Sequence, residues 1–144
     1  MTTKKVAILA TGDEIVNGDI LNTNAQAIAQ MLFSHQMTPG MCLSTTDRQT
    51  DLETGMAFLL KHHDAMITIG GLGPTSDDCT RFALANVVEK PLTFHEPAWE
   101  SIQARFKQLN FKNLPDSNRQ QALFPETADV IHNENGSAAA CCVY

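Results

Sequence analysis

The chain has 144 residues, 43% hydrophobic, 18% charged and 6% aromatic, which suits one domain with one core and excludes disorder as the main state. Ten Lys and Arg against 16 Asp and Glu leave a net charge of -6, without the basic field that non-specific nucleic-acid binding needs. No apolar run approaches the ~20 residues of a membrane span, and Met1-Thr2-Thr3-Lys4-Lys5-Val6 lacks the features of a secretory signal, so the expectation is a cytoplasmic protein without nucleic-acid or membrane partners.

The first predicted element is a strand over 6–10, a continuous apolar run that ends in Thr11-Gly12, as in strands buried on both faces. Asn22-Thr23-Asn24 offers caps for a helix whose Ala25, Ile28, Ala29, Leu32 and Phe33 recur at helical spacing. A second strand is predicted over 41–46, with Pro39 near its start, where proline is tolerated. Thr50-Asp51-Leu52-Glu53 reads as a capping box, opening a helix with the stripe Leu52, Met56, Leu59 and Leu60. A third strand over 64–69 stops at Gly70-Gly71. A helix over 76–88 is expected to bury Cys79, Phe82, Ala83 and, at its margin, Asn86. Pro97 then sits just inside the start of another helix, whose buried face is Trp99, Ile102, Phe106 and Leu109. A short strand over 128–132 and a turn over 133–136 complete the order, which predicts an α/β fold with a mainly parallel sheet and helices on both faces.

Cys42, Cys79, Cys141 and Cys142 have neither metal-ligand spacing nor the pattern of a secreted framework, and read as small buried or edge hydrophobes. Asn135-Gly136-Ser137 matches a glycosylation sequon and reads as a turn. The five histidines have no helical i, i+4 metal pair, and no nucleophile elbow is present.

In open α/β sheets ligands bind at the carboxyl ends of the strands. Three loops qualify: Thr11-Gly12-Asp13-Glu14 with the residues to Gly18, Thr45-Thr46-Asp47-Arg48, and Gly70-Gly71-Leu72-Gly73-Pro74-Thr75-Ser76-Asp77-Asp78. All three are expected on one rim. The glycines of the third let backbone N–H groups approach an anion, and the helix that follows adds the positive end of its dipole. It is no P-loop, since no Gly-Lys-Ser/Thr follows. The plainer alternative is a tight strand-to-helix turn with Asp77 and Asp78 as first-turn acids. Asp13, Glu14, Asp47, Asp77 and Asp78 beside a phosphate cradle call for neutralisation. Arg48 and Arg81 are candidates, and a divalent cation is the economical answer, since Mg²⁺ takes one or two carboxylates plus substrate phosphates.

Gly12-Asp13-Glu14, Asn17-Gly18, Asn22-Thr23-Asn24, Asp47, and Gly70-Gly71-Leu72-Gly73-Pro74-Thr75 with Asp77-Asp78 and Thr80 together resemble the CinA family, the competence/damage-inducible branch of the molybdopterin-binding (MoaB/MogA-like) superfamily. Asn118-Arg119-Gln120-Gln121-Ala122 with Pro125, and the stretch from Asn133 to Ala138, extend the resemblance across nearly the whole chain. It implies a single three-layer α/β/α domain over 1–144. In the cofactor-synthesis relatives the Gly-rich loop and two aspartates bind molybdopterin, and the matching positions here are Gly70, Gly71, Gly73, Asp47 and Asp78. In the CinA branch the domain is linked to metal-dependent hydrolysis of ADP-ribose to AMP and ribose 5-phosphate. That implies metal at Asp47, Asp77 and Asp78, catalysis through Asp47 and Asp78, and ligand contacts from Gly12, Asp13, Glu14, Gly70, Gly71, Gly73, Pro74, Thr75 and Thr80. The metal expected is Mg, Mn or Co, and would polarise the phosphoryl oxygen.

Three departures stand out. Gln36 and Thr46 replace expected glycines, and after Ala138 the chain reads Ala139-Ala140-Cys141-Cys142-Val143-Tyr144 where the family reads Pro-Gly and continues. The C-terminal nicotinamide-mononucleotide deamidase domain of many CinA proteins does not fit in this length. The expectations are therefore an ADP-ribose pyrophosphatase, a pterin-phosphate binding module without hydrolysis, or a shortened paralogue kept for interaction. The apolar tail over 138–143, too short for the family's final strand and helix, is expected to leave an edge that a homodimer covers.

Overall fold

The computed structural model describes residues 4–144, so the opening Met1-Thr2-Thr3, part of the leader reading, lies outside the described residues. The chain divides into two compact units, one ending at Gly71 and the other running Leu72–Tyr144.

The first unit holds β1 (Lys5–Thr11), α1 (Asp13–Val16), α2 (Thr23–Ser34), β2 (Thr38–Thr45), α3 (Gln49–His62) and β3 (Ala65–Ile69). The sheet order is β2-β1-β3, all parallel, with Leu9 opposite Leu43 and Thr68, and Thr11 opposite Thr45. The apolar run of β1 occupies the centre, and Ala7, Leu9 and Ala10 are fully buried. Its alternation divides the core between two helices. Val6 and Ile8 pack with Ala25, Ile28, Ala29 and Leu32 of α2, joined by Ile67 and Ile69. Leu9 faces Gly55 of α3, where an added Cβ would lie 3.3 Å from its Cδ1. Leu52, Met56 and Leu59 are the buried stripe of α3, each at 1% exposure or less and each contributing about 1.5–3 kcal/mol of burial. Pro39 is accommodated because β2 is an edge strand.

Local signals were met in part. The Asn22 side chain caps α2 through the Ala25 amide (3.1 Å). The capping box over Thr50-Asp51-Leu52-Glu53 does not form. α3 begins two residues earlier, at Gln49 behind Arg48, and Glu53 accepts the Gln49 carboxamide (2.8 Å) while Asp51 accepts the Thr46 hydroxyl and the Arg48 guanidinium. Phe33 and Leu60 fall on the solvent side of their helices. Gln36, where the resemblance expects glycine, adopts φ 60°, the left-handed region in which a Cβ is disfavoured.

The second unit contains α4 (Thr80–Val87), β4 (Leu92–Phe94), α5 (Glu96–Gln108), a 3-10 helix (Asp116–Ala122), β5 (Leu123–Pro125), β6 (Asp129–Ile131) and β7 (Ala140–Cys142). β4 pairs antiparallel with β5, and β6 with β7. Ala98, Ile102, Ala122, Phe124 and Ala139 form its core, with Trp99, Phe106, Val130 and Cys141 against it. Pro97 sits in the first turn of α5, and His95 caps it by accepting the Ala98 amide. Leu109 and Asn86 are exposed, contrary to expectation, while Thr80, Arg81, Ala83 and Ala85 are the buried residues of α4.

The apolar tail, expected to leave an edge that a homodimer covers, is paired on one side by β6. Ala140–Cys142 pairs with β6 in register Asp129 to Cys142, and Ala139 is buried. Among the described residues no disulfide joins any of the four cysteines. Among the described residues no helix is long and apolar enough to cross a membrane.

Candidate functional site

At the carboxyl ends of β1, β2 and β3 the first unit gathers Thr11, Gly12, Asp13, Thr46, Asp47 and Gly70. The Gly12 amide donates to the Thr45 carbonyl (3.1 Å), holding the two strand ends together. Asp47 accepts the Thr11 hydroxyl at Oδ1 (2.7 Å) and the Asp13 amide at Oδ2 (3.2 Å). Asp13 answers by accepting the Asp47 amide at Oδ1 (3.2 Å). Each aspartate side chain therefore pins the other's backbone amide. Glu14 folds over Gly12, where a Cβ would lie 2.7 Å from Oε1. Gly70 is required by its surroundings: its φ is 97°, and a Cβ would stand 2.7 Å from the Thr11 carbonyl oxygen.

Thr46, the second expected glycine, uses its side chain. Its hydroxyl donates to Asp51, and with the Arg48 guanidinium 3.0 Å from Asp51 this holds that carboxyl below the usual aspartate range. Arg48 is thus committed to Asp51 and is not the expected neutraliser of Asp47.

In the second unit the Gly-rich loop is shaped by Asp78. Its Oδ2 accepts the Thr75 amide (2.9 Å) and the Thr75 hydroxyl (2.6 Å). Gly73 is needed there, since a Cβ would lie 2.6 Å from the same oxygen. With the Asp78 amide on the Thr75 carbonyl and the Cys79 amide on the Asp77 carbonyl, residues 76–79 form tight turns, and α4 starts at Thr80 rather than at 76. Asp77 and Asp78 accordingly precede the helix instead of filling its first turn. Asp77 is exposed, touched by the Ser76 hydroxyl at 3.4 Å. Thr80, expected among the ligand contacts, is 2% exposed.

Partial burial pushes the Asp78 carboxyl up, but the Thr75 hydroxyl and amide, the Gly73 amide and the Arg81 charge outweigh it and leave the group below its ordinary value. The ordinary, unfolded value is about 3.9. A depressed folded value means that Asp78 contributes stability above that pH and loses it as pH falls through the folded value. In an NMR titration the Thr75 amide and the Asp78 carboxyl carbon should therefore move together, with a midpoint below about 3.9. A midpoint at or above the ordinary value would show the loop bonds to be absent in solution.

Two residues outside the expected ligand set shape this loop. Arg81, foreseen only as a neutraliser, is 2% exposed. It donates from Nη1 to the Leu72 carbonyl (2.7 Å) and from Nη2 to the Ala139 carbonyl (3.2 Å), forming no ion pair among the described residues. Gln120 donates from Nε2 to the carbonyls of Gly73 (3.1 Å) and Thr75 (2.8 Å). Neither position carries a sequence signal beyond the Asn118–Ala122 run, because arginine and glutamine are ordinary surface residues.

A divalent cation fits the donor set of the first unit. Asp13 and Asp47 offer hard oxygens tied to each other's backbone, and Asp13 Oδ2 is taken by no protein donor among the described residues. Within either unit, no three described His, Cys, Asp or Glu side chains group as ligands do, so the fit is to an ion completed by substrate and water, as Mg²⁺ is, and not to an all-protein cage. A cavity of about 560 Å³ in the second unit, lined by His95, Arg105 and His132 among others, contains none of the expected site residues.

A family model described as "Probable molybdopterin binding domain" matches residues 7–141. The chain is 39% identical over 140 residues to a "CinA-like protein" of Escherichia coli O9:H4 (strain HS), covering 96% of this chain and 34% of that protein. It thus spans about a third of the length of the curated relatives it matches. Among solved structures, the CinA protein of unknown function from Thermoplasma acidophilum superposes with a TM-score of 0.88 at 26% identity, covering 96% of this chain and 80% of that one. The molybdopterin biosynthesis enzyme MoaB of Thermus thermophilus shares the fold, with a TM-score of 0.57 at 16% identity over 85% of this chain and 79% of that one.

Proposed function

The chain belongs to this molybdopterin-binding-type domain family, with CinA-like relatives, and from that membership we propose that it is a metal-dependent ADP-ribose pyrophosphatase. The observation that carries the reading is the reciprocal Asp13–Asp47 latch at the strand ends, two backbone-to-carboxylate hydrogen bonds with a third from the Thr11 hydroxyl fixing Asp47.

Asp13 and Asp47 would hold the cation, which supplies Lewis acidity toward a phosphoryl oxygen when bound. Asp47, with both oxygens hydrogen-bonded, is fixed in orientation. In the second unit, the loop over 72–78 would take a phosphate through backbone N–H groups, its Gly73 and Thr75 carbonyls turned onto Gln120. A groove of about 430 Å³ in the first unit, walled by Val16, Leu43 and Phe58 beside Thr45 and Thr46, gives a planar heterocycle an apolar seat.

The test is ADP-ribose hydrolysis followed by AMP detection. AMP release is expected with Mg²⁺, Mn²⁺ or Co²⁺ and none in excess chelator. Equal release in chelator, or none with any of the three, counts against the reading. The family description favours a second reading, binding of a pterin phosphate without turnover, and tight pterin binding with no AMP release would select it.

A further inference from the structure

Hydrolysis or not, a loop that receives phosphate must present N–H groups and turn its carbonyl oxygens away, because those oxygens repel an anion. In the loop over 72–78 the carbonyls of Leu72, Gly73 and Thr75 are all held by side-chain donors, the first by Arg81 and the other two by Gln120. The peptide bonds here are trans, so each plane's C=O and N–H point in opposite directions. Fixing the Thr75 carbonyl on Gln120 therefore aims the N–H of the same plane, that of Ser76, to the other side. The Gly73 and Thr75 amides are already taken by Asp78. Those of Ser76 and Asp77 have no partner among the described residues.

We propose that Gln120 is a positioning residue for an anionic, phosphate-bearing ligand: it holds the Thr75–Ser76 peptide so that the Ser76 amide, with that of Asp77 beside it, meets the phosphate. This deepens the functional reading above and rests on its phosphate-binding loop. Gln120 suits the task because one carboxamide nitrogen carries two N–H groups, enough for both carbonyls at once. Arg81 fixes the preceding plane, so loop entry and loop centre are set by separate residues. A leucine or methionine of similar length would pack as well but leave the Gly73 carbonyl without its donor and the Thr75 carbonyl held by the Asp78 amide alone.

The experiment uses the whole chain and inorganic pyrophosphate in Mg²⁺ buffer, with calorimetry for affinity, a thermal melt, and the Ser76 amide resonance as local reporter. Gln120→Met keeps length and removes the donors; Gln120→Lys keeps donors that reach the same carbonyls. Gln120→Met should weaken pyrophosphate by about tenfold, as loss of an orienting partner does. Its Ser76 amide should stop responding to the ligand, while the melt stays at the wild-type temperature. In Gln120→Lys the Ser76 response should return. A merely structural role predicts a lowered melt with affinity and the Ser76 response intact, and that result overturns the proposal. Wild type that binds pyrophosphate but releases no AMP from ADP-ribose sinks the hydrolase reading alone, and the Gln120→Met comparison still decides this one. Wild type that binds no pyrophosphate sinks both.

Discussion

Asp47→Ala should lower AMP release from ADP-ribose by about 10²–10³-fold, the scale seen when a fixed electrostatic group is removed from a reaction centre. The substitution removes the nearer acceptor of the Thr11 hydroxyl, which keeps the Thr46 carbonyl at 3.1 Å, and the acceptor of the Asp13 amide in one step. Asp13 then keeps its carboxylate but loses the bond that holds its backbone. The cation would lose one ligand outright and the orientation of the other. The folding cost is smaller, about 1–3 kcal/mol for bonds at a half-buried position that water partly replaces. Asp47→Asn separates the two effects. Its single carbonyl oxygen can accept from Thr11 or from Asp13 but not from both in the native geometry, and its NH₂ cannot ligate a cation. It should melt closer to wild type than the alanine variant yet be as inactive. Steady-state rates and melts on the same samples check this, and an asparagine variant with near wild-type turnover removes Asp47 from the chemistry.

Much of the first unit was legible because its signals are backbone-deep. The unbroken apolar run of β1 admits only a two-sided burial, and the structure puts Val6 and Ile8 against α2 and Leu9 against α3. Gly70 announced a position no other residue could fill, and the φ of 97° and the nearby Thr11 carbonyl explain why. Gln36 shows the same logic reversed: its φ of 60° gives a physical reason for a glycine there, although the sequence carries none.

What failed to read were side chains that choose a tertiary partner over a local one. Thr50 and Glu53 had the spacing of a capping box, but the helix begins before Thr50, and Glu53 accepts the Gln49 carboxamide while Asp51 turns its carboxylate to Thr46 and Arg48. Asp78 had the right position for a first-turn acid, but the Thr75 amide and hydroxyl drew it back, so the loop gained a brace and α4 lost a turn. The tail looked like an orphan edge because β6, although foreseen as a short strand, carries nothing in its three residues that names the tail as its partner. Each of these is a competition between acceptors of similar strength, settled by distances that a one-dimensional pattern does not contain.

Arg81→Ala should cost about 2–5 kcal/mol of stability, the second large effect expected of a single substitution. The side chain is buried in the first turn of α4 and bridges two carbonyls that are otherwise far apart in the chain, Leu72 at 2.7 Å and Ala139 at 3.2 Å. It also lies over the Phe124 ring, 5.4 Å from its centroid, a cation–π contact in a desolvated place. Truncation would leave both carbonyls without their side-chain donor and open a void beside Phe124. An opposing effect limits the loss. Burial pushes the Arg81 guanidinium down from its usual value, and its Nε–H is buried with no partner among the described residues, so the native protein already bears a desolvation cost that truncation relieves. Arg81→Met tests that balance, since it fills most of the volume and discards the charge. If the carbonyl bonds dominate, methionine should be nearly as destabilising as alanine. If the void dominates, it should recover most of the loss. Urea midpoints at constant m distinguish the two, and an alanine variant within about 0.5 kcal/mol of wild type would falsify the bracing role. The loop should respond in either case, because freeing the Leu72 carbonyl releases the peptide plane that aims the Gly73 amide at Asp78.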